Sequence, residues 1–420
     1  MHDYDLAIIG GGLVGASLAV ALAETGLRIA LVEATEADAP AHPSYDERVI
    51  ALSLGSARIF QGMGIWSAIA PNAAPIQHVH VSDRGHCGFA HLDAEDEAVP
   101  ALGYVAPARV MGTALSQRLE TAPRISLLRP GRLQGLQITK ERVSLEVALA
   151  GQSQLLTAAL LVAADGGESS VRQRLGLKVR RQDYGYDAII ATVTPERIPA
   201  STRPGTAFER FTDTGPLALL PMTEGRYGVV WTARQTESAS LMGLSDRDFI
   251  DALQRRFGTR LGDLTRPSRR IAYPLRLMLA SQLTRDRVLL IGNAAHTLHP
   301  VAGQGFNLGL RDVAELADLL VDATRTAQDL GGPAVLGPYR RRRAPEHALI
   351  AGLTDGLARL FVNPWGPVRA GRNLGLLALD LLPPARHHLA RRFMGALGRQ
   401  PRLARGLPAE SALPLLKGER

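Results

Sequence analysis

Two hydrophobic rhythms alternate along the chain. It opens on a short apolar run, LAII (Leu6–Ile9), between Asp5 and Gly10, which predicts a strand buried on both faces. A helix over about 14–25 follows, with Ala and Leu on its packing face and Gly26 as its C-cap. RIALVE (Arg28–Glu33) predicts a second strand and completes a strand–helix–strand unit. A loop rich in Ala, Pro and Asp is expected over 34–46, and order resumes at ERVIALSLGSARIF with a helix starting near Gly55. IQHVHVSD alternates and predicts antiparallel strands turning at Arg84–Gly85. A helix is expected over 107–120, a three-stranded excursion over 127–157, and an apolar strand over 155–164.

Between 185 and 274 the period is two: YDAIIATV, GTAFERF, PLALLPM and YGVVWTA alternate, ahead of a helix over 246–257. RVLLIGNAA, from Arg287, returns to the apolar style of a parallel strand and leads to a helix over 306–322. The tail from 332 on is helical and basic. The chain therefore has an α/β pattern in which one domain interrupts another. Residues 1–75, 101–180 and 281–345 form the dinucleotide-binding domain in three parts; 76–100 and 181–280 form an antiparallel-sheet domain; 346–410 form the basic helical tail.

Size and composition narrow the function classes. At 420 residues the chain exceeds the length at which a single core usually stays undivided. Cys87 is its one cysteine, so neither an intrachain disulfide nor a multi-cysteine metal site can form, and a reducing compartment is expected. No secretory signal is expected, and no stretch reaches the roughly 20 apolar residues of a spanning helix. The +8 formal charge comes mostly from arginine and admits anionic cofactors or an anionic membrane surface as partners. Nucleic acid is not expected, because no nucleic-acid motif accompanies the charge.

Two constellations carry chemistry. In GGGLVG, Gly10-x-Gly12-x-x-Gly15 lies between a strand and a helix. Gly10 permits the tight turn, Gly12 lets the backbone approach a pyrophosphate, and Gly15 lets helix and strand pack closely. The helix N-terminus offers free N–H groups to the diphosphate. Glu33, ending the second strand, can accept hydrogen bonds from an adenosine ribose and disfavours a 2′-phosphate. This motif alone does not separate FAD from NAD. The second constellation does: RVLLIGNAAHTLHPVAGQGFNLGLRD, Arg287–Asp312. Gly292–Asn293 is placed for ribityl hydroxyls, Pro300 rigidifies the turn, and Gly303, Gln304 and Gly305 present bare N–H groups at a helix start, suited to the flavin N1/C2=O edge. His296 and His299 could suggest metal, but no third ligand is placed by sequence, and no metal is expected.

These motifs, with the Asp-Gly segment AADGGESSVR (Ala163–Arg172), resemble the class A flavin-dependent aromatic hydroxylases, whose best-known member acts on p-hydroxybenzoate. The resemblance spans almost the whole chain. RVIALSLGSARIF, ERFTDTGPLALLPM and LHPVAGQGFNLGLRDV resemble in particular the ubiquinone-biosynthesis subgroup and its 2-octaprenyl-6-methoxyphenol hydroxylases. Two departures stand out. Asn293 replaces the family's Asp, keeping a ribityl-bonding amide but losing charge, and Gly167-Glu168 departs before Ser169.

The resemblance implies a p-hydroxybenzoate hydroxylase-like fold: a Rossmann-like FAD domain interleaved with an antiparallel-sheet substrate domain, followed by a helical C-terminal region. It implies Arg48 near the FAD pyrophosphate, Arg109 near the flavin, Asp165 between FAD and the nicotinamide route, and the motif continuing through Phe306 to Asn307. It implies NAD(P)H as transient co-substrate and O₂ captured as a flavin C4a-hydroperoxide that hydroxylates a polyprenylated phenol. The catalytic environment is then Pro300, Gly303, Gln304 and Gly305. Phe208, Phe211, Leu219, Pro221, Tyr227 and Trp231 are expected to wall the substrate site, with Tyr184, Tyr186 and His299 as candidate bases. A dehydrogenase on another aromatic substrate and a flavin-binding scaffold subunit are the competing classes. The expected location is cytoplasmic and peripheral, at the inner face of the membrane or within a ubiquinone-biosynthesis multiprotein complex. Leu357, Leu360, Phe361, Val362 and Trp365 would form the apolar edge there, with Arg359, Arg369 and Arg372 near head groups.

Overall fold

The computed structural model describes residues 2–36 and 48–411. Most of the loop expected over 34–46 lies outside them. The strand Tyr4–Ile9 is central in the first sheet. It pairs in parallel with Ile29–Val32 on one side and Gln152–Ala163 on the other. Ile125–Leu128 and Val288–Leu290 extend this parallel core outward. Leu6, Ile8, Ile29, Leu31, Leu160 and Val162 are fully buried, as strands covered on both faces require. The expected excursion is an antiparallel meander: Gly131–Ile138, Val143–Leu149 and the first half of Gln152–Ala163. The first helix is shorter than its sequence pattern suggests, Leu13–Ala21, while Gly26 adopts φ +75° in the turn beyond it.

The second sheet is larger and mostly antiparallel. Val179–Pro195, Tyr227–Arg234, Gly215–Pro221 and Thr206–Thr212 run in that spatial order, and His78–Asp83 joins Thr206–Thr212 in parallel. Phe89–Asp93 completes that edge, so the segment around 78–93 belongs with the distant 181–280 region. One face of the sheet buries Leu217, Leu219, Tyr227, Val229 and Trp231 beneath the helix Asp246–Phe257, through Phe249, Leu253 and Phe257. A third, three-stranded sheet of Val49–Ser53, Gly103–Pro107 and Ala74–Ile76 links the two, an element the sequence pattern left undefined.

The long helix Gln304–Arg325 packs on the first one. Val14 seats in a notch between Gly292 and Gly309, where an added Cβ would lie 3.0 Å and 3.1 Å from its methyl groups. The tail forms three helices, Pro333–Val362, Gly366–Leu381 and Pro383–Phe393. Among the described residues, no helix is long and apolar enough to cross a membrane.

Candidate active site

A single cavity of about 1010 Å³ runs from the glycine-rich turn to the second sheet. Its first half is the dinucleotide cradle. Gly10 has φ +102°, and a Cβ there would lie 2.4 Å from the Ala164 carbonyl oxygen. A Cβ on Gly15 would lie 1.9 Å from the Gly10 oxygen. These contacts leave room only for glycine at the crossing of strand and helix. Glu33 lines the cavity, and its carboxylate accepts from Gly11 N at 2.6 Å and Thr35 N at 2.7 Å, which aims it across the turn.

Gly10, Gly12, Glu33, Arg48, Asp165, Asn293, Pro300, Gly303, Gln304, Gly305, Phe306 and Asn307 all border the same cavity. Arg48 also lies over the Tyr273 ring at 5.1 Å. Gly15 and Gly292 serve it from behind, through the packing just described. Arg109 does not border it: the side chain is exposed at the start of helix Ala108–Glu120, because its position in the first turn points outward. The Asn307 side-chain amide is engaged within the protein. Its Oδ1 accepts from Ser53 N (2.8 Å) and Ser56 Oγ (2.7 Å), and its Nδ2 donates to the Ala51 (2.9 Å) and Gly303 (2.8 Å) carbonyls. The amide is thus spent on tying the turn to the third sheet.

The turn at 300–305 is built to present amides. Ala302 and Gly303 both adopt left-handed conformations, φ 56° and 61°, which costs an alanine about 1 kcal/mol or more. The Gln304–Arg325 helix then starts with its unbonded N–H groups toward the cavity. Among the described residues, two buried acceptors there have no partner: Asp165 Oδ1 and Gln304 Oε1. The other Asp165 oxygen is held by Ser170 N at 2.7 Å and Val171 N at 3.2 Å. Gly305 has no left-handed φ, and a Cβ there would meet no protein atom within 4 Å. It borders the open cavity, so a side chain there would project toward whatever fills it. A flavin dinucleotide fits this donor and acceptor set: diphosphate at the glycine turn, ring edge at the 303–305 amides.

The other half of the cavity is apolar. Val79, Val81, Ala90, Leu92, Ala218, Leu220 and Val230 face it from the sheet. Leu379, Leu389, Ala390, Phe393 and Met394 close it from the tail helices. This corrects most of the expected substrate wall. Leu219, Tyr227 and Trp231 lie on the opposite face, packed under the Asp246–Phe257 helix, and Pro221 shares the parity of Leu219. Phe208 borders the cavity but packs edge-on against Phe257, centroids 5.4 Å apart. Phe211 does not border it; it stacks on Phe361. The expected strands are present, and their side-chain parity turns most of the expected residues away from the cavity. The wall contributed by the tail was missed altogether, because nothing in its local pattern says which sheet it covers.

None of the three candidate bases borders the cavity. Tyr184 donates to Asp355 Oδ1 at 2.8 Å, and burial, then that carboxylate, pushes its hydroxyl pKa up. His299 is buried with its ring edge-on to Tyr184, accepts from Val301 N at 3.3 Å, and is pushed down to about 4 by burial. Tyr186 sits in the paired strand against Arg234.

His296 meets Asp312 and His347, all buried, with ligand atoms within 4.8 Å of one another. The third partner missing from the sequence pattern is therefore present in space. Its charge is already balanced: Arg343 Nε lies 2.7 Å from Asp312 Oδ1, as does His347 Nε2. Burial raises the Asp312 pKa, but His347 and Arg343 outweigh it and hold the carboxyl well below its usual range. The guanidinium occupies the cationic role a metal would take, and the cluster reads as a buried ionic strut.

The tail corrects the expected membrane edge. Phe361 is buried, and the Arg372 side chain, 7% exposed, is turned inward against Asp83 at 2.8 Å and the Phe361 carbonyl at 2.7 Å, away from any head group. Of the expected apolar edge, Leu360 and Trp365 are exposed, and further exposed apolar residues lie beyond it at Leu374, Leu381 and Leu382.

With this geometry in hand, comparison with known proteins is specific. A family model described as FAD binding domain matches residues 3–350. The ubiquinone hydroxylase UbiL of Rhodospirillum rubrum is 39% identical over 407 residues, covering 96% of this chain and 93% of that protein. The 3-demethoxyubiquinol 3-hydroxylase of Escherichia coli is 33% identical over 380 residues, covering 90% and 94%. Among solved structures, p-nitrophenol 4-monooxygenase of Pseudomonas putida superposes with a TM-score of 0.78 at 18% identity, covering 94% of this chain and 98% of that one. That last likeness speaks to the fold alone.

Proposed function

Since the chain belongs to the FAD-binding monooxygenase family and is an FAD-dependent enzyme of the aromatic-hydroxylase superfamily, we propose that it hydroxylates the ring of a polyprenylated phenol in ubiquinone biosynthesis, with NAD(P)H as reductant. The observation that carries this reading is the continuity of one cavity from the glycine cradle to a long apolar wall. A substrate ring can sit against the 300–305 turn while its hydrocarbon chain lies along Leu379, Leu389, Phe393 and Met394. FAD, when bound, supplies the activation of O₂ that places one oxygen atom on the ring. The protein holds the cofactor, excludes bulk water with apolar walls, and aims amide dipoles at the ring edge. The relatives named as ubiquinone hydroxylases support the substrate class. We further propose that the substrate is drawn from an anionic membrane surface, since the helices that close the cavity also expose Leu374, Leu381 and Leu382.

The test is to incubate holoenzyme with O₂, NADH or NADPH and a series of prenylated phenols. The expected result is nicotinamide oxidation stimulated by the phenol, with a product heavier by one oxygen atom. Oxidised product without added oxygen would identify a dehydrogenase instead, and no stimulation by any phenol would overturn the substrate class.

A further inference from the structure

Among the described residues, Glu209 is the one carboxylate on the apolar part of the cavity wall. It sits in the middle of a cross-strand row that crosses five strands: Val230 opposite Ala218, Ala218 opposite Glu209, Glu209 opposite Val81, and Val81 opposite Ala90. All five residues border the cavity. The row is otherwise small and apolar, so the acid has no polar neighbour on either side of it. Among the described residues no hydrogen bond or ion pair engages its carboxylate. The neighbouring Arg210 points to the other face of the sheet by strand alternation. Glu209 is half-buried and its unpaired carboxylate opens into the cavity, so the molecule that fills the apolar half meets it directly.

Its position fits a substrate contact. Phe211, one pleat along the same face and about 7 Å away, clusters with Val301 of the turn that precedes Gly303. Glu209 therefore lies near the junction between the cofactor half of the cavity and the apolar half. Resting on the phenol reading given above, we infer that Glu209 accepts the hydrogen bond of the phenolic hydroxyl and so orients the ring before the flavin edge. Oxygen transfer to a phenol goes to carbons ortho or para to the hydroxyl, so fixing that oxygen fixes which ring carbon faces the cofactor. Burial raises the Glu209 pKa to about 7, so the ionised carboxylate that accepts this bond predominates above that pH.

The test uses FAD-loaded enzyme and two probes, a prenylated phenol and its O-methyl ether, titrated against the flavin absorbance spectrum. Wild type should bind the phenol on the order of ten- to a hundred-fold more tightly than the ether, as expected for a hydrogen bond to a carboxylate. Glu209→Leu should abolish that preference by weakening the phenol and sparing the ether. Glu209→Gln, which keeps an acceptor and the side-chain shape, should restore much of the preference. Flavin content and melting temperature of the variants serve as the folding check, and Glu209→Gln keeps the test alive if Glu209→Leu misfolds. Equal binding of phenol and ether by wild type, or an undiminished preference in Glu209→Leu, overturns the role of Glu209 while leaving the phenol class standing. If neither probe perturbs wild-type flavin, the phenol class falls and this role with it.

Discussion

Phe361 lies flat on Phe211, with ring centroids 3.4 Å apart and planes inclined by 13°. One residue comes from the tail helix and the other from the sheet bearing Glu209, so the stack fastens the tail over the cavity. Arg372 sits against the Phe361 ring at 5.5 Å and bonds to Asp83, bracing the same joint. Replacing Phe361 with alanine should cost about 3–5 kcal/mol, as for other buried aromatics. The tail should then detach before the core melts. Limited proteolysis of holoenzyme is expected to cut within 366–395 while the flavin stays bound. An uncut tail with only a lowered melting temperature would show the stack to be ordinary packing.

Gly305 separates cofactor binding from folding. A Cβ there meets no neighbouring described atom within 4 Å, and the backbone does not require glycine. Gly305→Val should therefore leave the unfolding free energy of the cofactor-free protein within about 1 kcal/mol of wild type, the size of the propensity change. It should greatly reduce the flavin retained on purification. Normal flavin content and turnover would place the cofactor ring elsewhere.

His299 makes stability depend on pH in a stated direction. Burial lowers its pKa from 6.5 to about 4. Between those values the unfolded chain takes up a proton here and the folded chain does not. Its contribution is therefore complete above about pH 6.5 and is lost as pH falls toward 4, with a slope of at most about 1.4 kcal/mol per pH unit. Glu209 acts oppositely: its raised pKa means stability is lost as pH rises from 4.5 toward 7. Urea midpoints across pH 4.5–7.5 should show a shallower acid loss in His299→Gln than in wild type. Identical slopes would mean that the ring is not titrating differently in the two states.

Membrane docking is expected to depend on Trp365, Leu381 and Leu382 rather than on Phe361. Holoenzyme should cosediment with vesicles of anionic lipid at low salt, and less so with neutral ones. The triple change to serine should weaken cosedimentation while FAD content holds, since all three are exposed. Protein that stays in the supernatant with anionic vesicles would direct attention to a protein partner that delivers the lipid substrate.

Much of the cofactor site is legible in the sequence because its determinants are local. Gly10, Gly15 and Glu33 report a tight turn and a strand end within one strand–helix–strand unit, and glycine is required there by contacts of 1.9 Å and 2.4 Å. Gly303 and Gly305 likewise mark a helix start. Parallel and antiparallel regions also announce themselves, since strands buried on both faces are uniformly apolar and half-buried ones alternate.

What only the tertiary structure decides is which face looks where. Leu219 and Leu220 are adjacent and equally apolar, yet one fills the core under a helix and the other borders the cavity. A period of two says that faces differ, not which face receives the helix and which receives the ligand. The same limit hid Glu209: alternation in GTAFERF does not say which face the acid takes, and pairing with Val81 and Ala218 places it on the cavity wall. It also hid the tail, whose Phe361 and Arg372 look like a membrane edge in isolation. Their burial follows from contacts with Phe211 and Asp83, far away in sequence, and no local pattern encodes a partner that distant.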